Sequence, residues 1–243
     1  MCSVSWLIDK DGYQIFFNRD EQKNRALALP PQQLTLDQVD VLIPIDPVGK
    51  GSWISVNEFG LSLCLLNNYQ GKTPSGELIS RGLLLKNLSV AASVEELERA
   101  FKRLSLRQFA PFTLLAFDSD LTLENPNVMA FEWNGEDFHQ QVTEAPHFSS
   151  GVELEQVVAY RHQAYLTHQH ELLDFHRHHH IEHSHFSVCM HRHDAQTVSF
   201  THVQVTANKQ QMSYVAGSPC MALSAAALTK NCYQILKREA LVS

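Results

Sequence analysis

Cys2-Ser3-Val4-Ser5-Trp6-Leu7-Ile8, then Asp9-Lys10-Asp11-Gly12, then Tyr13-Gln14-Ile15-Phe16-Phe17-Asn18-Arg19-Asp20-Glu21: this opening decides how the chain reads. Ser3 and Ser5 alternate with Val4, Trp6 and Ile8, a period-two pattern that predicts a half-buried strand starting at the second residue. Asp11-Gly12 is a turn dipeptide, since a tight hairpin needs positive φ and glycine adopts it freely. Tyr13 to Phe17 is then the return strand. The hairpin carries Asn18-Arg19-Asp20-Glu21 back to the level of Cys2.

Further along, Asn18 to Pro31 is polar, ends in Pro30-Pro31 and reads as a loop. A second hairpin is expected from Trp53 to Val56 and Leu61 to Leu66. Helices follow over 78–90 and 94–104, the second opened by a Ser93/Glu96 capping box. Strands are expected over 112–117, 128–133 and 138–142, and helices over 153–167 and 172–180. Phe186 to His191, Thr197 to Thr206 and Gln211 to Val215 alternate as strands, and Leu223 to Ala240 closes as a helix. Runs of strands, then helices, then strands predict an antiparallel α+β layered fold, not βαβ units. No linker, repeat or Gly-rich phosphate loop interrupts the pattern, so residues 1–243 read as one domain.

Composition narrows the partners. The 243 residues are 44% hydrophobic and 19% charged, with 19 Lys plus Arg against 26 Asp plus Glu and a net charge of -7. An acidic chain whose basic cluster is the short run Arg99 to Arg107 is a poor match for nucleic acid. No stretch approaches the roughly 18 apolar residues of a membrane helix. Asp9 and Asp11 stand where a signal peptide would be apolar, so a cytoplasmic location is expected. Five cysteines at Cys2, Cys64, Cys189, Cys220 and Cys232, without a C-x-x-C pair, read as reduced thiols and not as a disulfide frame or a zinc site.

Position 2 carries the first chemical signal. An initiator Met is removed when the next side chain is small, and Cys qualifies. Removal leaves a thiol and an α-amine on one residue, with reference pKa values of about 8.5 and about 7.7–8.0. The amine can then act as the thiol's own base. The plain alternative is a buried structural Cys. An Arg near the thiol favours thiolate, and an acid near the amine can orient it. Arg19, Asp20 and Glu21 are delivered to that place, although such a run is usually a solvated loop. Asn68, at the end of the apolar strand Leu61 to Leu66, can present an amide donor to an oxyanion; its ordinary role is to satisfy a turn.

Met1-Cys2, the tetrapeptide Asn18-Arg19-Asp20-Glu21, Gly51-Ser52-Trp53, Asn68-Tyr69, Arg25 before its prolines, Ser80-Arg81-Gly82 and Ser187 to Arg192 with Thr197-Val198-Ser199 together resemble the NRDE family. This is the transport-and-Golgi-organisation-two family, and the likeness runs over nearly the whole chain. It implies an N-terminal-nucleophile (Ntn) hydrolase-like fold in four αββα layers. More distantly, the pattern is similar to penicillin V acylase and bile salt hydrolase, which cleave amides with an N-terminal Cys. That similarity implies Cys2 as nucleophile, Arg19 as the thiol-contacting Arg, Asn68 in the oxyanion hole and Arg192 as a distal Arg. Where the acylases carry an orienting Asp this chain has Gln22, which leaves Asp20 and Glu21 as alternatives. Where they carry a second oxyanion Asn it has Ser149-Ser150, and Ser150 is the expected donor.

Fourteen histidines, 11 of them between His162 and His193, form the one compositional anomaly. His176 and His180 would share a helix face, and His191 and His193 a strand face. Either pair could bind a divalent metal, yet neither Cys nor carboxylate completes an evident tetrahedral set. A solvated surface that binds metal incidentally is expected, so that Gln at His176, His178, His179 and His180 together would leave stability unchanged. Three functions follow: a Cys2 amide hydrolase needing no cofactor and acting on a small amide; a non-catalytic binding or trafficking protein, for which the family resemblance implies haem or acyl-lipid handling; or a metal-binding role for the histidines.

Overall fold

The computed structural model describes residues 2–235. β1 (Cys2–Ile8) and β2 (Gly12–Gln22) form the expected hairpin, with Cys2 opposite Arg19 and Ile8 opposite Tyr13. Gly12 has φ 146°, and an added Cβ would fall 2.1 Å from the Val205 carbonyl oxygen, so only glycine fits that turn. The chain continues through β3 (Leu29–Leu36), β4 (Val39–Ile45), β5 (Ile54–Asn57) and β6 (Ser62–Asn67). Next come α1 (Arg81–Leu88), α2 (Val94–Phe101), β7 (Phe112–Phe117), β8 (Val128–Trp133), β9 (Phe138–Thr143) and β10 (His147–Ser149). It ends with α3 (Leu154–His168), α4 (Leu172–Arg177), β11 (Ala195–Thr206), β12 (Lys209–Ala216), α5 (Pro219–Ala222), α6 (Ala225–Lys230) and β13 (Cys232–Gln234).

Two antiparallel sheets result, ordered β10-β1-β2-β11-β12-β13 and β3-β4-β5-β6-β7-β8-β9. Period-two alternation gives each sheet two apolar faces, and three clusters fill the spaces between layers. Val4, Trp6, Ile15 and Phe17 meet Ile54, Val56, Leu115 and Phe117 between the sheets. Leu63 and Leu114 meet Leu84, Leu85 and Phe101 of α1 and α2. Phe16 and Phe200 meet Ala164, Leu172 and Phe175 of α3 and α4. The order is helix, sheet, sheet, helix, the αββα arrangement expected above. No helix among the described residues is long and apolar enough to cross a membrane.

Several elements differ from expectation. The segment expected as a loop from Asn18 to Pro31 is strand at both ends: β2 runs on to Gln22 and β3 starts at Leu29. Pro30 and Pro31 are tolerated because β3 is a sheet edge whose register shifts between Leu29 and Gln32. Phe186 to His191 is not a strand. Its backbone is satisfied outside any ladder, with Cys189 N–H bonded to His178 O, His191 N–H to Ser184 O, and Val188 O accepting from Asn18. The closing helix stops at Lys230, where the Asn231 side chain caps Ala227 O, and β13 then joins the edge of β12; residues 236–240 of that expectation lie outside the described residues. The helix over 172–180 ends at Arg177.

Candidate functional site

β1 and β2 place Cys2 and Arg19 side by side, and Ser149 of β10 faces Cys2 from the other side. On β1, Cys2, Val4 and Trp6 share the inter-sheet face, as do Tyr13, Ile15, Phe17 and Arg19 on β2. Half-buried Cys2 therefore packs against the inter-sheet core and lines a cleft of about 640 Å³. Arg19, Glu21, Trp53, Asn67, Tyr69, Arg81 and Arg192 line it too.

Arg19 is pinned from three sides. Its guanidinium lies 4.2 Å over the Trp53 ring and donates to Glu21 at 3.0 Å and Asp46 at 3.4 Å. Arg25 closes the network, 2.7 Å from Asp46 and 3.4 Å from Glu21. Burial alone would raise the Asp46 carboxyl, but the Arg25 hydrogen bond and the N–H groups of Val48 and Gly49 outweigh it and hold Asp46 below its usual range. The expected thiolate at Cys2 is not favoured. Burial pushes its thiol up and the Asp20 charge adds to that, outweighing the chain-terminal ammonium, the Asp20 N–H and the Arg19 charge, which all favour thiolate. Cys2 thus needs a base.

Gly51-Ser52-Trp53 and Ser80-Arg81-Gly82 meet backbone to backbone. A Cβ on Gly51 would lie 2.1 Å from the Gly82 carbonyl carbon, and Ser52 N–H donates to Gly82 O. This contact sets Arg81, first residue of α1, at the rim beside Trp53. Arg81 donates to Pro111 O at 2.7 Å and has no carboxylate partner among the described residues, whereas Arg19, Arg25 and Arg192 are each paired.

The other face of β2 is closed. Asn18 is buried and donates to His176 O and Val188 O at 2.9 and 3.0 Å. Asp20 accepts from Thr197 Oγ1 at 2.6 Å and lies 3.5 Å from Arg161, a pair whose side chains are 1% and 0% exposed. Arg161 also donates to Ser3 Oγ and Phe186 O. Both acids left as alternatives therefore stay at the cleft: Asp20 lines it beside Cys2 with its carboxylate fixed by Thr197 and Arg161, and Glu21 is the acid paired with Arg19.

Of the expected donors, Asn68 takes its ordinary turn role, accepting from the N–H groups of Gln70 and Gly71 while its own N–H goes to Pro111 O. Ser150 Oγ donates to Val152 O. Asn68 and Ser150 line a neighbouring 220 Å³ cavity; Asn67, passed over in the sequence, and Tyr69, quoted only as part of the family pattern, line both it and the cleft. Arg192 reaches the cleft with one guanidinium edge, Nε and Nη2, bidentate on Asp194 at 2.9 and 2.7 Å.

The histidine pairs do not form. His176 is wholly buried on α4, with Nε2 2.8 Å from Ser5 Oγ, stacked on Phe16, and burial lowers its pKa to about 3. It is a neutral core residue, so the four-fold Gln replacement cannot be silent. His180 is exposed near Glu182 and His183, His193 is exposed beside Asp194, and His191 sits instead beside Cys189 and Cys220.

A family model described as Transport and Golgi organisation 2 matches residues 1–240, so the chain belongs to that family. No curated protein sequence matches it. Among solved structures, the penicillin V acylase from Agrobacterium tumefaciens matches at 12% identity and TM-score 0.53, over 88% of this chain and 83% of that one. A Caenorhabditis elegans orthologue of N-acylethanolamine-hydrolyzing acid amidase matches at 11% and 0.54, over 97% and 100%. A mutant conjugated bile acid hydrolase from Clostridium perfringens matches at 12% and 0.51, over 98% and 97%. The likeness establishes an Ntn-hydrolase fold.

Proposed function

We propose that this Transport and Golgi organisation 2 family member is an Ntn amide hydrolase whose nucleophile is Cys2 once Met1 is removed. The observation that carries the reading is Cys2 paired with Arg19 at the floor of a polar cleft that Asp20 and Glu21 also line. The freed α-amine takes the thiol proton, and the thiolate attacks the amide carbonyl carbon. Asn67, whose amide donates one hydrogen to Tyr69 at 2.9 Å and keeps another, is the proposed oxyanion donor in place of Asn68. Collapse of the tetrahedral intermediate breaks the C–N bond as the ammonium returns its proton to the departing amine. Water then hydrolyses the thioester, releasing the acid and Cys2.

Arg81, the cleft cation without an acidic partner, favours substrates carrying a carboxylate or another acceptor. The charged walls suit a polar ligand better than the apolar faces of haem. Amine release from N-acyl amino acids and from N-acylated neutral amines tests the reading. Expected are turnover by the chain starting at Cys2, no turnover by Cys2→Ala, and a raised KM for the acidic substrates in Arg81→Met. Release unchanged in Cys2→Ala would overturn it, as would absence of release across both classes.

A further inference from the structure

Two of the five widely separated cysteines meet around one histidine. Cys189 and His191 lie on the irregular segment before β11, and Cys220 lies on α5. His191 Nε2 is 3.4 Å from Cys220 Sγ and 3.7 Å from Cys189 Sγ, and the three ligand atoms lie within 4.8 Å of one another. In a tetrahedral zinc site, with Zn–S of about 2.3 Å and Zn–N of about 2.0–2.1 Å, a sulfur and a nitrogen ligand stand about 3.6 Å apart. The two observed distances fall either side of that value. We propose that Cys189, His191 and Cys220 form a zinc site, with solvent completing the tetrahedron.

The surroundings are those of a ligand set. His179 packs edge-on to His191 at 4.5 Å and is itself oriented by Cys189 O at 3.1 Å. The Cys220 N–H donates to Cys189 Sγ at 3.4 Å, which holds the two cysteines together. His191 also lines a cavity of about 560 Å³, which gives an ion and its water a way in. Two thiolates and an imidazole select a borderline or soft ion over calcium or magnesium.

The position gives the site a purpose. One isolated bridge, His191 with Gln196, ties this segment to the next strand. Cys189 and His191 face α5, while Met190 and Arg192, alternating with them, line the cleft. A metal here fastens the cleft wall to α5.

Cobalt reports thiolate ligation directly, which separates this site from the many surface histidines. Untagged, reduced full-length protein is stripped with chelator and titrated with Co²⁺, then with Zn²⁺. Expected is one equivalent of cobalt with thiolate-to-cobalt charge-transfer absorption in the near ultraviolet, displaced by zinc. Cys220→Ser should lose that absorption and bind zinc more than about tenfold more weakly, and zinc should raise the Tm of the parent but not of this variant. His180→Gln with His183→Gln should keep all three signals. Cobalt taken up without the charge-transfer band, or a band that survives in Cys220→Ser, would overturn the site and leave a hydrogen-bonded thiol–imidazole cluster. Since Cys220→Ser leaves half-exposed α5 otherwise intact, its Tm in chelator should equal that of the parent.

Discussion

Arg19 and Glu21 pair with charges in the cleft, whereas Asn18 and the Asp20 carboxylate are tied to groups of the helical layer, Asp20 still lining the cleft beside Cys2. The partners of four consecutive polar residues are thereby sorted by strand parity. On the cleft side the charges are shared among Arg19, Glu21, Arg25 and Asp46, so each keeps a partner when one is disturbed. On the helix side the partners are few and fixed: Asn18 ties down two carbonyls, and Asp20 accepts from Thr197 and neutralises Arg161. A polar motif on a central strand is thus half site and half scaffold. Substitutions should separate the halves.

The largest effect is expected at Asp20. Asp20→Ala leaves Arg161 as a buried charge without its counter-ion, which costs about 3–5 kcal/mol. Urea unfolding measures it, and a loss below about 1 kcal/mol would mean that Arg161 finds other acceptors and the helix side is not the structural half.

Next comes His176, also on the helix side. Its folded pKa of about 3 lies below the ordinary 6.5, so the unfolded chain binds a proton that the folded one does not. The linked stability is whole above about pH 6.5 and falls as pH drops toward 3, by at most about 1.4 kcal/mol per pH unit. His147 and His202, each lowered by burial to about 4, act in the same direction. His176→Phe should flatten the fall in stability between pH 6.5 and 4 by about one proton. An unchanged slope would break the assignment of a neutral core histidine.

Arg19→Met probes the cleft side. Because Arg25 still serves both Glu21 and Asp46, the stability loss should be only about 1 kcal/mol. The Cys2 thiol should rise further, and its alkylation by a limiting iodoacetamide pulse should slow severalfold between pH 7 and 9, read by site-resolved mass spectrometry. Equal reactivity in parent and variant would remove Arg19 from the site. The smallest effect belongs to the exposed run: His180→Gln with His193→Gln should move unfolding stability, measured in chelator, by no more than about 0.5 kcal/mol.

The hairpin from Cys2 to Glu21 was legible because alternation and a Gly turn agree, and the second hairpin for the same reason. The antiparallel α+β class followed from the run of elements, and the αββα layer order from the family resemblance alone. Arg161 was legible in principle: with Val157 and Ala164 it sits at helical spacing on the buried face of α3, and a charge there demands a buried partner. Asp46 gave no such signal, since an acid before Pro47 looks like an ordinary loop residue. Asn67 and Asn68 are neighbours of opposite strand parity, and only the lining of the cleft shows that Asn67 is the one that reaches it. The alternation of Phe186 to His191 misled because its backbone is bonded by side chains and turns far away in sequence. The histidine run misled for a related reason: composition cannot tell that His176 enters the core and His191 meets two cysteines.

The central claim is that Cys2 is the reactive end of the cleft half of this motif. Intact-mass and peptide analysis of protein from its native host, after exposure to a β-lactone acylating probe, tests it most directly. The account predicts a chain that begins at Cys2 and gains one acyl group, carried as a thioester on the Cys2 peptide and lost in Cys2→Ala. A chain that keeps Met1 in full, or an acyl group found on other residues with Cys2 unmodified, would contradict it.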